Sequence, residues 1–227
     1  MEKLDDNLRK IKELKWLPWI GDNYNAVPQD KKLLIVGESH YHDTTPQSIQ
    51  KHNDANYTRA VIEELAIDRF YYGTKIFPNL HRALLQNDEF DTEIFWNLIA
   101  YYNFVQRTME TNKGRPNYDD FYSGWKTFFE VIKILRPSIC LFIGTTSANV
   151  LSHAIVESSF TMNGLVWGEY ISNAYAKSSI VKDQEGNEIK LIFIRHTSQM
   201  FSWKLWNEYL ITVIPDEIAW LESKLSS

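Results

Sequence analysis

The chain has 227 residues, 44% hydrophobic and 23% charged, a composition that suits one domain with a full-sized core. A single cysteine, Cys140, excludes a disulfide framework and a cysteine metal cluster. Net charge is −5, so the total does not signal a nucleic-acid partner, yet its distribution is uneven. Residues 61–100 carry three basic and seven acidic side chains, 101–140 six and four, and 177–204 five and three, which leaves room for a local positive face. The opening EKLDDNLRKIKELK lacks a signal-peptide core, and no apolar run approaches the ~20 residues that span a bilayer. The expectation is a soluble, cytoplasmic protein with no membrane partner. The aromatic content, 14% with eight Trp, reads as core packing before it reads as a stacking platform.

In chain order, residues 4–15 show helical spacing with heavy charge, and Pro18 and Gly21 then break the chain into a loop. Trp16, Pro18 and Trp19 are expected to pin this N-terminal stretch, residues 1–30, to the sheet edge of one domain covering 1–227. KKLLIVG (31–37) predicts a strand buried on both faces. Residues 56–67 and 78–85 predict helices, with Pro78 in a tolerated first-turn position. IFWNLIAYYNF (94–104) predicts a buried strand ending near Asn103, and TNKGRPNYDD (111–120) a loop whose Asp119 and Asp120 open a helix. Pro137 stops that helix, 138–144 predicts another buried strand, and TTSANVLSHAI a helix capped by Thr145 or Thr146. The turn KDQEGN separates two arms, 175–181 and 189–194, and two helices close the chain. Strands alternating with helices predict a three-layer α/β/α sandwich with a short, mostly parallel central sheet. In such a sheet ligands collect beyond the carboxyl ends of the strands. That rule selects Gly37–Asp43, Asn103–Gln106, Gly144–Ser147 and His196–Ser202.

Those four segments carry a resemblance. ILRPSICLFIGTTSANVL (residues 134–151) resembles the L-x-P-x-hydrophobic-G-x-x-A-x-x-L signature of the uracil-DNA glycosylase superfamily. GESHYH (37–42) lies where typical members carry G-Q-D-P-Y-H, Asn103 where an asparagine ends a strand, and RHTSQMFSW (195–203) where the family has its final H-P-S loop. The likeness covers residues 31 to 205. It implies a base flipped from DNA into a pocket, with no cofactor, and DNA or a nucleobase-containing ligand as the partner. Asn103 would read the base, His196 would donate to the O2 carbonyl as the glycosidic bond breaks, and Ser198 would touch a phosphate. Tyr41 would close the pocket wall, and Gly37, Glu38, His40 and Gly144 would line it. Phe70, Tyr71, Tyr72 and Phe77 are candidates for the ring that stacks on the base. Ser39 stands where the family has a water-positioning Asp, His40 and Thr197 replace prolines, and Met200 and Phe201 are wedge candidates.

Three rival readings accompany the resemblance. A glycosylase-fold protein could bind nucleic acid without cleaving it, since a serine hydroxyl is a poor base at neutral pH. His40 and His42, with Asp43 and His196, could hold a metal. Ser39 in G-E-S-H-Y is similar to a nucleophile elbow that lacks its closing glycine. The bland assignments are a capping role for Asn103, a hydrogen-bonded loop histidine for His196, and core or surface histidines at His81 and His153.

Overall fold

The computed structural model describes residues 2–41, 45–70, 73–109, 114–198 and 200–226. Its elements in chain order are α1 (Glu2–Leu8), β1 (Trp19–Ile20), β2 (Leu33–Gly37), α2 (Pro46–His52), α3 (Tyr57–Ile62), α4 (Ile76–Leu85), α5 (Thr92–Leu98), β3 (Ala100–Asn103), α6 (Tyr118–Leu135), β4 (Ile139–Ile143), α7 (Leu151–Ala154), β5 (Thr161–Met162), β6 (Val166–Ile171), β7 (Ala174–Lys182), β8 (Glu188–Ile194), α8 (Trp203–Val213) and α9 (Pro215–Leu225).

The strands form one sheet in the order β1-β3-β2-β4-β8-β7-β5, with β6 paired to β7. Its centre is parallel: Gly37 sits opposite Asn103, Val36 opposite Phe142, and Ile143 opposite Ile194. Its flanks are antiparallel, with β1 on β3, and with β8, β6 and β5 each on β7. The expectation of a mostly parallel sheet is corrected to a mixed one. Tight turns join β6 to β7 and β7 to β8, and only antiparallel neighbours can be joined that way. At the second turn the Asp183 carboxylate accepts from the backbone N–H groups of Glu185 and Asn187.

β2 and β4 are buried along their whole length, as their unbroken apolar sequences require. Leu34, Val36, Cys140 and Phe142 point to one apolar cluster with Trp125 and Phe128 of α6. Leu33, Ile35, Leu141 and Ile143 point to another with Leu80 and Leu84 of α4 and Trp206 of α8. Each large side chain so buried contributes roughly 1.5–3 kcal/mol. Among the described residues no helix is long and apolar enough to cross a membrane.

Three local expectations change. Residues 94–104 are a helix followed by a strand, because the Asp91 carboxylate caps α5 by accepting from the Ile94 N–H at 3.0 Å. The N-terminal helix stops at Leu8, and the chain then turns so that Trp16 reaches the core, where its Nε1–H donates to the His52 carbonyl at 2.9 Å. Neither Thr145 nor Thr146 caps a long helix: Ser147–Val150 is a tight 3₁₀ turn without a side-chain cap, leading into the single-turn α7. By contrast α6 opens at a full capping box, Asn117 and Asp120 each bonding the other's backbone N–H.

Candidate functional site at the strand ends

The first two loops are fastened to each other. β2 and β3 keep pairing past their ends, with Phe104, Val105 and Met109 N–H groups donating to the carbonyls of Gly37, Glu38 and His40. A Cβ at Gly37 would overlap the Tyr101 hydroxyl and Asn103 Oδ1, so only glycine lets the Asn103 side chain lie against this strand end. Asn103 is buried, its Oδ1 faces the Tyr101 hydroxyl at 3.4 Å, and its carbonyl accepts from Gln106. Gln106 in turn accepts from Lys15 and Trp16 N–H, which ties the N-terminal segment to this end of the sheet.

Glu38 turns toward the next loop, where a Cβ on Gly144 would lie 3.0 Å from Oε2. Burial holds its carboxyl above the usual carboxylate range, with Arg115 pulling the other way. Gly37, Glu38, Phe104, Phe142, Gly144 and Ser147 line a cavity of ≈10 Å³, room for a water molecule and not for a base. A hollow of ≈800 Å³ lies at the opposite end of the sheet between Arg136, Ser138, Asp183 and Asn187 and holds none of these residues.

The fourth loop presents His196. Its Nδ1 lies 2.9 Å from Ser198 Oγ and 3.3 Å from the Ser198 N, whose N–H donates to it. A ring that accepts at Nδ1 carries its proton on Nε2, so Nε2–H is the available donor. Burial, with Arg115 assisting, pushes the His196 pKa down to about 4, so the ring is neutral at pH 7. The loop is held by the buried Asn79 of α4, whose Nδ2 donates to the carbonyls of Thr197 (2.7 Å) and Ser198 (3.2 Å). Across the sheet, three strand spacings of about 4.8 Å, roughly 14 Å, separate the Asn103 and His196 backbones. Met200, at positive φ and 76% exposed, points outward, whereas Phe201 stacks on Trp206.

Gly37, Glu38, Tyr41, Gly144, His196 and Ser198 therefore gather at one end of the sheet, with Asn103 packed beneath. Two expected pocket residues do not join them. His40 is turned into the core, where Nε2 meets Thr58 Oγ1 at 2.9 Å and the ring packs edge-on to Trp16 and Tyr57. Burial lowers its pKa to about 3, so it serves as a neutral core group and not as a ligand contact. Phe77 is 2% exposed and packs against Trp96 and Tyr101, so it is a core ring and offers no face to a base. Phe70 is exposed. The stacking candidates Tyr71 and Tyr72 and the metal candidates His42 and Asp43 lie outside the described residues. Ser198 orients His196 in this arrangement. Ser39 Oγ and Thr197 Oγ1 are buried hydroxyls without a partner among the described residues, so no described histidine bonds Ser39.

Sequence reasoning missed Arg115 and Asn79, and it selected the segment ending at Gln106 without giving that residue a role. Arg115 follows the loop after residue 113, lies 3.4 Å from the Tyr41 hydroxyl, and acts electrostatically on both Glu38 and His196. No protein-family model matches the chain, and no curated protein matches it significantly.

Proposed function

We propose that the chain is a uracil-DNA glycosylase-like α/β/α protein that recognises a nucleobase where β2, β3, β4 and β8 end, and that it excises that base from DNA. The observation that carries this reading is the placement of the Glu38 carboxyl against Gly144 and of an Nε2–H donor on His196 at the same end of the parallel strands, where Arg115 lies 3.4 Å from the Tyr41 hydroxyl. Asn103 reads the polar edge of the base. Water adds across the N-glycosidic bond, and the bonding pair leaves with the base. His196 donates its Nε2–H to the carbonyl oxygen that gains this charge, and a donor already aligned by Ser198 needs no reorganisation. Glu38, the carboxylate nearest the water-sized cavity, takes the proton of the attacking water. Arg115 supplies a contact for the DNA phosphate.

The Ser39 hydroxyl, without a partner among the described residues, favours a second reading, a protein of this fold that binds without cleaving. One assay separates the two: free base released from oligonucleotides carrying uracil or a damaged base, compared with His196→Ala. Release that disappears in the variant supports excision. Absence of release together with binding that weakens as salt rises supports the binding protein.

A further inference from the structure

β6 is the free edge beyond β7, and edge strands are usually short or charged on the outside. This one carries exposed rings. Trp167, Tyr170 and Tyr175 are 58%, 61% and 48% exposed, and they touch, with centroids 5.7 Å apart for Trp167–Tyr175 and 4.9 Å for Tyr170–Tyr175. The register pairs Trp167 with Lys177 and Tyr170 with Tyr175, so all four stand on one face of the sheet. Lys177 is 5% exposed, its Nζ 4.1 Å from the Trp167 ring centroid, and it donates to Asn149 Oδ1 at 2.7 Å and the Thr145 carbonyl at 3.2 Å. Both acceptors are neutral, so the lysine's charge is not cancelled by them.

The strip adjoins the strand-end site at two points. Thr145 follows Gly144, against which Glu38 packs. At the β6–β7 turn the Ser172 carbonyl accepts from Arg195 at 2.6 Å, and His196 is the next residue. Ser172 and Asn173 both have positive φ, the geometry of a tight two-residue hairpin, which turns the strand pair back beside the end of β8.

We infer that the Trp167–Tyr170–Tyr175 strip is a stacking platform for unpaired nucleotides next to the base in the cleft, so that the site takes single-stranded nucleic acid. The position of that base rests on the proposed function. Aromatic faces accept any base, Arg195 and Arg115 supply positive charge for the backbone, and the buried Lys177 holds the Trp167 ring from beneath. The chemistry of rings with neighbouring cations favours a nucleic acid over a second copy pairing with the β6 edge.

The test measures anisotropy of labelled single-stranded oligothymidylate and of a matching duplex with the full chain. The variants are Trp167→Ala, Tyr175→Ala, the pair together, Trp167→Phe and His196→Ala. Loss of single-strand affinity by roughly tenfold per ring removed, with duplex binding changed less and Trp167→Phe retaining most affinity, supports the platform. Circular dichroism identical to the parent assigns that loss to the surface and not to unfolding. Unchanged oligothymidylate binding in the paired variant overturns it, and so does an effect confined to concentration-dependent dimerisation. If the cleft reading alone fails, the ring variants still lose binding while the parent releases no base. If the platform alone fails, release remains sensitive to His196→Ala and the ring variants bind normally.

Discussion

Asn79→Ala should weaken both the fold and the site, and the size of the loss follows from two hydrogen bonds. The amide sits on α4, 6% exposed, and donates to the carbonyls of Thr197 and Ser198 on the loop that carries His196. A neutral bond to the half-buried Ser198 carbonyl contributes about 1 kcal/mol, whereas a buried carbonyl left without its partner costs about 1–3 kcal/mol in all. Thr197 is wholly buried, so the penalty applies to its carbonyl in full, and the expected loss is about 2–4 kcal/mol. For a chain of this length that lowers Tm by roughly 5–15 °C. Asn207→Ala is the control: it removes one bond, to the Ala83 carbonyl at 3.0 Å, between α8 and α4 and not to the His196 loop. It should cost about half as much and leave any base release or binding intact, whereas Asn79→Ala should reduce both. Thermal unfolding with a binding assay reads the comparison. An Asn79→Ala chain that melts with the parent, or that binds as the parent does, would refute the claim that this amide sets the His196 loop.

Gly37→Ala forces a Cβ into the Tyr101 hydroxyl and Asn103 Oδ1, and should cost about 1–3 kcal/mol in thermal unfolding while displacing the Asn103 amide. Acid should destabilise the chain. Burial lowers His40 and His81 to about 3 and His196 to about 4, so between pH ~6.5 and 4 the unfolded state binds protons that the folded state refuses. Stability then falls as pH drops, by about 1.4 kcal/mol per pH unit per histidine, and His81→Gln should flatten a plot of Tm against pH by about a third. Glu38 acts oppositely, since its raised folded pKa costs stability above the ordinary carboxylate value and returns it as pH falls, and the measured slope is the net of the two. Arg115→Gln removes the cation that lowers both Glu38 and His196, so the acid limb of a binding profile should move to higher pH, by under about one pH unit for so exposed a guanidinium.

How much of this was legible depended on pattern. β2 and β4 are unbroken apolar runs, β2 ending in Gly37 and β4 running from just after Pro137 to just before Gly144, and both stand where the sequence placed them. Residues 94–104 form an equally apolar run, and without a period a run cannot separate a helix from a strand; the signal that decides it is Asp91 outside the run. β6 was missed because an edge strand exposed on both faces has no buried side to set an alternation. Gly37, Gly144 and His196 could be found because a strand's end is a readable place. Which way a side chain turns just beyond such an end is not, and His40 went to the core while Glu38 turned to Gly144. Arg115 lay in a loop, where no periodicity marks a residue, and Asn79 sat within PNLHRALL, whose pattern shows a buried helix face and not what an amide on it holds.

The most direct test of the central claim is base release from single- and double-stranded oligonucleotides, each carrying one uracil or one damaged base, by the parent and by His196→Ala and Arg115→Gln. The account predicts release of at least one base by the parent, lost in His196→Ala and weakened in Arg115→Gln. No release from any oligonucleotide, with binding that neither substitution alters, would contradict it.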